Sequence, residues 1–287
     1  MNYTKTAHIW RLTDRVLDVS KKVLIMGVLN VTPDSFSDGG KYQGREEAVK
    51  RALEMVEEGA DIIDIGGEST RPGACAVSAA EELERTIPVV SELSHAVSVP
   101  ISIDTTKAVV ARQAIEHGAH IVNDVSGLVR DPGMLEVVKE SACGCIVMHM
   151  RGTPQTMQEE AVYGDVVSDV IYELTERLQA AQKAGISPES LAIDPGIGFA
   201  KRLKHTAILL NRLDEFHVFG RPVVTGLSRK SFIGEILGLE VDQRIFGTAA
   251  AISFAVIKGA RIVRVHDVSQ MRQVVRVLEV LQRGGDG

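Results

Sequence analysis

Cysteine is scarce in this chain, aromatic residues make up 4% of it, and basic residues are outnumbered by acidic ones. Each shortage excludes something. Three thiols, Cys75, Cys143 and Cys145, make no disulfide framework, and the C-x-C at Cys143 and Cys145 has no second pair with which to hold zinc. Alternation along a buried strand accounts for that pair as small core residues. With few aromatic rings and 45% hydrophobic residues, the core has to be aliphatic. The net charge of −6 argues against a general nucleic-acid binder, which needs clustered basic surface. It leaves room for an anionic small substrate, for which a few local cations suffice. No stretch reaches the roughly 18 consecutive apolar residues of a membrane span. Met1 to Trp10 contains no apolar run resembling a signal peptide. The expectation is a cytoplasmic protein in a reducing setting, with no membrane and no nucleic-acid partner.

What is present is a repeat of type. Short β-branched runs alternate eight times with longer segments of helical period. The strand candidates are Val23–Val31, Asp61–Gly66, Ile101–Asp104, His120–Asp124, Gly144–His149, Leu191–Asp194, Val223–Gly226 and Arg261–Val265. Helix-like stretches such as Arg45–Glu58, Ala79–Ser94, Ala108–His117 and Val166–Ala184 lie between them. Several strands are apolar throughout, as expected when a parallel sheet is buried on both faces. Eight such units in 287 residues predict a single (β/α)8 TIM barrel of the α/β class. An open doubly wound sheet is the alternative, but no G-x-G-x-x-G follows the first strand. Ile9–Leu12 and Val16–Val19 flank Thr13-Asp14-Arg15 and predict a short N-terminal β-hairpin with Trp10 plugging the barrel floor. The expected organisation is a hairpin segment over 1–22, a barrel over 23–283 and a flexible tail over 284–287.

Sites in such barrels are built at the C-terminal ends of the strands. Polar residues fall there in every unit: Asn30, Glu68, Asp104, Asn123 with Asp124, His149, Asp194, Ser228-Arg229-Lys230, and Arg264 with His266. One such residue would be read as a helix cap. At all eight ends they imply a site, because buried polar groups are costly unless they serve one another or a ligand. Asp104, Asn123 and Asp194 can pair with a flat heterocycle rich in N–H donors. Lys230, Arg264 and His266 supply cationic or donor groups on the last two strands, where barrels commonly hold phosphate. The loop Gly226–Ser231 leads into a helix, whose start favours anions. Two long loops, Thr32–Gly40 and Ser69–Gly73, carry Phe36 and Arg71 and read as lids over the site.

The segments Met26–Gly40 and Gly66–Gly73 resemble the two signatures of the dihydropteroate synthases. Ser102–Thr105, Asn123-Asp124, Met148–Met150, Asp194–Phe199, Ser228–Ser231 and Arg264–Asp267 are similar to further motifs of that family and stand in the family's order. The resemblance runs from about Val23 to the final helix. It implies a transferase that joins (7,8-dihydropterin-6-yl)methyl diphosphate to p-aminobenzoate in folate biosynthesis, the target class of sulfonamides. By matching position, Asp104, Asn123, Asp194 and Lys230 would hold the pterin. Asn30, Arg264 and His266 would hold the diphosphate, with a magnesium ion (Mg2+) at Asn30. Phe36, Thr70, Arg71, Phe199, Lys230 and Ser231 would frame the arylamine. The resemblance also implies an SN1-like course in which the carbon–oxygen bond breaks first, Asp38 stabilises the pterin cation, and Lys230 and Arg71 assist. It implies a homodimer through the last helices, although the sequence shows no decisive stripe there.

Two positions depart from the family pattern. Ala200 stands where Gly is usual, and Thr206 follows His205 where Asn is usual. Both sit close in sequence to Phe199, and two readings stand: they alter how the Phe199 loop packs and so the fit of the arylamine or of a sulfonamide, or they are neutral variation. Two other readings stand beside the synthase. A pterin-dependent methyltransferase barrel shares the pterin-holding carboxylates but lacks the Ser-Arg-Lys-Ser and Ser-Thr-Arg-Pro-Gly segments found here. A catalytically idle pterin-binding module would be expected to have lost Lys230 or a loop carboxylate, and neither is lost.

Overall fold

In a computed structural model the chain is described for residues 9–20, 22–32, 40–70 and 73–284. The hairpin is formed by β1 (Ile9–Arg11) and β2 (Val16–Asp18), antiparallel, with Trp10 opposite Leu17. Eight parallel strands follow: β3 (Leu24–Asn30), β4 (Ile62–Gly66), β5 (Ile101–Asp104), β6 (Ile121–Asp124), β7 (Gly144–Met148), β8 (Leu191–Asp194), β9 (Val224–Gly226) and β10 (Ile262–Val265). They pair in the order β8-β7-β6-β5-β4-β3-β10-β9, and a parallel bridge between Ile193 and Val223 joins the two ends of that ladder. The result is the barrel that the alternating pattern predicts.

Helices return the chain after each strand: α1 (Gly40–Glu57), α2 (Ala79–Ala96), α3 (Ala108–Glu116), α4 (Met134–Ser141), α5 (Val166–Lys183), α6 (Leu203–Asn211) and α7 (Ser231–Leu237). An additional helix, α8 (Ile245–Ile257), precedes β10, and α9 (Val268–Gln282) ends the barrel. α2 starts with a reciprocal cap: the Glu81 amide donates to Ser78 Oγ at 3.2 Å, and the Ser78 amide donates to Glu81 Oε2 at 3.1 Å. That arrangement satisfies two of the N–H groups a helix start leaves without partners.

The period-2 geometry of a strand sorts its residues into two cores. Ile25, Leu29, Ile63, Ile65, Ile101, Ile103, Val122, Val147, Ile193 and Val263 face outward and pack under the helices. Leu24, Met26, Ile62, Ile121, Ile146, Ala192, Val224 and Ile262 face inward and close the lower half of the barrel. Trp10 and Leu12 of the hairpin complete this inner layer, and Trp10 donates from Nε1 to the Ser190 carbonyl at 2.8 Å. Gly144 makes room for the plug, because a Cβ there would stand 2.3 Å from Leu12 Cδ2. The plug role expected of Trp10 is therefore the observed one. Cys143 and Cys145 are buried and free, in the outer core, as expected of small core residues. Trp10 thus shares its core with the strands.

Candidate active site

Moving two residues up each strand from the inner apolar layer reaches the site. Ile62 leads to Asp64, Ile121 to Asn123, Ala192 to Asp194 and Ile262 to Arg264, and on β5 the buried Ser102 at the same level leads to Asp104. Met26 leads through Val28 to Asn30, and Arg264 to His266. These side chains share the inward face, so the barrel changes from aliphatic to charged over one layer. Above them opens a cavity of about 610 Å³. Asn30, Thr70, Asp104, Phe199, Lys230, Ser231, Arg264 and His266 all line it, joined by Glu68, Arg229 and Arg244. Asn123 and Asp194 are buried just beneath, within the same polar layer. Asp38, Phe36 and Arg71 lie outside the described residues.

The floor is an ion cluster. Arg264 Nε donates to Asp64 Oδ2 at 2.6 Å, and its Nη2 donates to Asp104 Oδ2 at 2.7 Å. Asn123 Nδ2 also donates to Asp64 Oδ2, at 3.2 Å. The second oxygens of Asp64 and Asp104, both buried, meet no protein donor among the described residues. Acceptors in that state suit a ligand that brings N–H groups. Asp64 escaped the sequence reading because it sits inside a strand and not at its end. Its signal was parity, since it shares the face of Ile62.

Burial governs the titration of this floor. It pushes the Asp104 carboxyl up to about 7 against the pull of Arg264, with the Asp64 charge adding to the rise. It pushes Asp194 up to about 6, although the Gly196 amide donating at 2.7 Å favours the anion. Burial brings Lys230 down to about 8, and the neighbouring Arg264 adds to that effect. Burial opposes the charge of Arg264 too, but Asp64 and Asp104 hold its pKa above the ordinary value. Desolvated groups with displaced pKa values converging in one cavity mark a functional site on physical grounds.

On the opposite wall the Lys230 ammonium lies 4.0 Å from the centre of the Phe199 ring. Lys230 is the N-cap of α7, which opens at Ser231. Ser228 accepts from the His266 amide at 3.2 Å, and its hydroxyl lies 3.0 Å from His266 Nδ1. Arg229 adopts a left-handed φ of 58° and forks to Asp267 at 3.0 and 2.5 Å. Arg244, which no motif singled out, donates to the Arg229 carbonyl at 3.2 Å and to the Leu239 carbonyl at 3.0 Å, bracing this loop from α8. At the far side Glu68 accepts from Lys107 at 2.5 Å and from the Val77 amide at 3.1 Å.

Three expectations need correction. His149 is not in the cavity: it shares the outward parity of Val147 and is buried between Lys201 and Glu173. Asp124 faces outward too and accepts from the Ser126 and Leu128 amides, so it holds the turn after β6 and does not serve the cavity. Thr206 is not beside the arylamine side of the cavity. It is buried on α6 and lines a separate apolar pocket with Leu210, Phe232 and Phe254.

Residues 26–266 match the family described as pterin binding enzyme. A dihydropteroate synthase of Synechocystis is 47% identical over 269 residues, covering 93% of this chain and 93% of that protein. A dihydropteroate synthase of Xanthomonas albilineans, solved with 4-aminobenzoic acid, superposes with a TM-score of 0.90 at 43% identity, covering 96% of this chain and 99% of that one. The Yersinia pestis dihydropteroate synthase, solved with a sulfonamide drug, also gives a TM-score of 0.90, at 40% identity and the same coverage. The closed barrel with a charged floor is thus that of a pterin-binding enzyme. Within that class the chain belongs to the dihydropteroate synthase family, transferases of folate biosynthesis. Among the described residues no helix is long and apolar enough to cross a membrane.

Proposed function

We propose that this chain transfers the (7,8-dihydropterin-6-yl)methyl group from its diphosphate to the amine of p-aminobenzoate, giving 7,8-dihydropteroate and diphosphate. One observation carries the reading. Asp104, Lys230, Arg264 and His266 line a single cavity with the Phe199 ring at its side, and Asp64, Asn123 and Asp194 lie in the buried polar layer beneath it. The carboxyls and Asn123 match the N–H edge of a pterin. Arg264 sits between that floor and the rim, where with His266 and Asn30 it would take the diphosphate. Thr70, Phe199 and Ser231, with Phe36 and Arg71, would frame the arylamine.

In the SN1-like course the bond between the pterin methylene carbon and the diphosphate oxygen breaks first, and the electron pair leaves with the diphosphate. Arg264 and His266 favour that charge where it develops. Asp38 would oppose the positive charge left on the pterin. The amine nitrogen then forms the new carbon–nitrogen bond and loses a proton to solvent or to the departed diphosphate. Lys230, beside Phe199 and near Asp194, would orient both substrates.

The donor set at the rim suits a magnesium ion that arrives with its substrate. The described residues contain no group of three or more His, Cys, Asp or Glu side chains fit to hold a metal. Magnesium, however, characteristically takes most of its ligands from phosphate and water. Asn30 offers the cavity an amide oxygen of the right hardness and would be the protein ligand. When bound, the ion supplies positive charge to the departing diphosphate. The three free thiols support a reducing, cytoplasmic location.

The test is release of diphosphate by purified enzyme given pterin diphosphate, p-aminobenzoate and magnesium. The expected result is release that stops when p-aminobenzoate is withheld and falls when a chelator removes magnesium. Release at the same rate without p-aminobenzoate would mean hydrolysis and would overturn the reading.

A further inference from the structure

Behind Phe199, the turn from β8 to α6 closes on a lysine to which the reaction above gives no part. Lys201 is buried, and its Nζ donates to the Phe199 carbonyl at 2.9 Å, to His149 Nδ1 at 2.9 Å and to the His149 carbonyl at 3.4 Å. Because Nδ1 accepts, the imidazole proton resides on Nε2, which donates to Glu173 Oε2 at 3.0 Å. Burial holds His149 down to about 3, so the ring stays neutral. The other Glu173 oxygen accepts from Arg151 Nε at 2.8 Å, and the Arg151 guanidinium stacks 4.1 Å from the Tyr163 ring. Burial also pulls Lys201 well below its ordinary value. Even as a neutral amine it keeps the two protons its 2.9 Å partners require.

The turn held by Lys201 is under constraint. Gly196, Gly198 and Ala200 have φ of 68°, 85° and 50°, and a Cβ on Gly196 would stand 1.9 Å from the His149 carbonyl oxygen. A left-handed alanine persists where its surroundings dictate the backbone. Those surroundings include one amine that ties the turn, at the Phe199 carbonyl, to the end of β7, at His149. The Phe199 ring, on the same residue as that carbonyl, faces the cavity with the Lys230 ammonium 4.0 Å from its centre.

We propose that Lys201 is a positioning residue for the arylamine: by holding the Phe199 carbonyl it sets the Phe199 ring against the cavity. The inference rests on Phe199 being a wall of the arylamine pocket. The Asp64 and Asp104 part of the pterin floor is anchored independently of Lys201, through their bonds to Arg264. Loss of Lys201 should therefore separate the two substrates, which loss of stability alone would not do.

Lys201→Met keeps the apolar stem and removes the donors. Lys201→Gln keeps a shorter N–H donor group and serves if the Met variant does not accumulate as folded protein. Both are compared with Phe199→Leu and with Arg272→Met, which removes bonds to Gly59 and Asp61 on the far side of the barrel. The expected result is a p-aminobenzoate KM raised about fivefold to tenfold, a pterin diphosphate KM within about twofold of wild type, and a smaller effect in the Gln than in the Met variant. Arg272→Met should lower Tm without moving either KM. If the Lys201 variants lose Tm but raise the p-aminobenzoate KM no more than the pterin KM, Lys201 is a structural residue and the proposal falls. If Phe199→Leu itself leaves the p-aminobenzoate KM unchanged, the pocket assignment fails, and with it the premise of the proposal.

Discussion

Arg264 donates from Nε to the buried carboxylate of Asp64 at 2.6 Å, joining two strands whose residues stand 200 positions apart. The contact fixes the guanidinium in the barrel axis, where it also reaches Asp104 and can face a diphosphate. Asp64→Asn should keep the shape and remove the charge. The expected loss is about tenfold to a hundredfold in kcat/KM for pterin diphosphate, the value of one charge-assisted hydrogen bond. Asp64→Ala strips a buried partner from a cation and should cost on the order of 3 kcal/mol in denaturant unfolding. Wild-type kcat/KM in the Asn variant would show that the fork is scaffolding.

Asp194 makes the site a burden on the free protein. Its folded pKa, about 6, exceeds the ordinary carboxylate value, so the fold favours the protonated form. That stabilising contribution is present below about pH 4 and is lost as pH rises through about 6. Asp194→Asn removes the titration while leaving an amide oxygen to accept from Gly196. Its Tm should equal wild type near pH 4 and exceed it by several degrees at pH 7.5, a gain on the order of 3 kcal/mol. Activity should fall by at least about a hundredfold, because the acceptor charge toward the pterin is gone. Equal Tm values at both pH values would refute the buried-charge account.

If cleavage precedes attack, the carboxylate of Asp38 acts on a cation that exists after the carbon–oxygen bond has broken. Asp38→Asn should then lower kcat by on the order of a hundredfold while pterin affinity, measured by calorimetry, changes less than about threefold. Parallel losses in both would assign Asp38 to ground-state binding.

Ala200 and Thr206 now separate. The Ala200 methyl packs with Phe199, Met148, Met150 and Met157, whereas Thr206 lies in the outer pocket. Ala200→Gly relieves a left-handed alanine and removes one buried methyl, two effects of about 1 kcal/mol and opposite sign. Its Tm should stay within about two degrees of wild type. The ratio of sulfonamide Ki to p-aminobenzoate KM should shift severalfold in Ala200→Gly and not at all in Thr206→Asn. An unchanged ratio in Ala200→Gly would make the departure neutral.

Family resemblance implies a homodimer, and we propose exposed apolar residues of α8 as part of its interface. Phe246 is 85% exposed on α8, near the partly exposed Phe254 and Ile257 of the same helix. Phe246→Arg should shift the sedimentation coefficient from dimer to monomer at micromolar protein. A wild-type monomer would remove the dimer from consideration.

Local rules determine much of this protein. Apolar runs of strand length alternating with helical periods specify the barrel, because each unit buries its faces only by stacking on the next. Once one inward residue per strand is known, parity counted from Ile62 and Ile262 assigns Asp64 and Arg264 inward, and counted from Ile121 and Ile146 assigns Asp124 and His149 outward. What parity cannot assign is partnership. That Arg264 spends its fork on Asp64 and Asp104, that Lys201 turns under Phe199 to meet His149, and that Thr206 faces an outer pocket are settled by barrel closure. Closure brings together groups from strands far apart in the chain, and burial then makes each polar atom take whichever partner lies within hydrogen-bond reach.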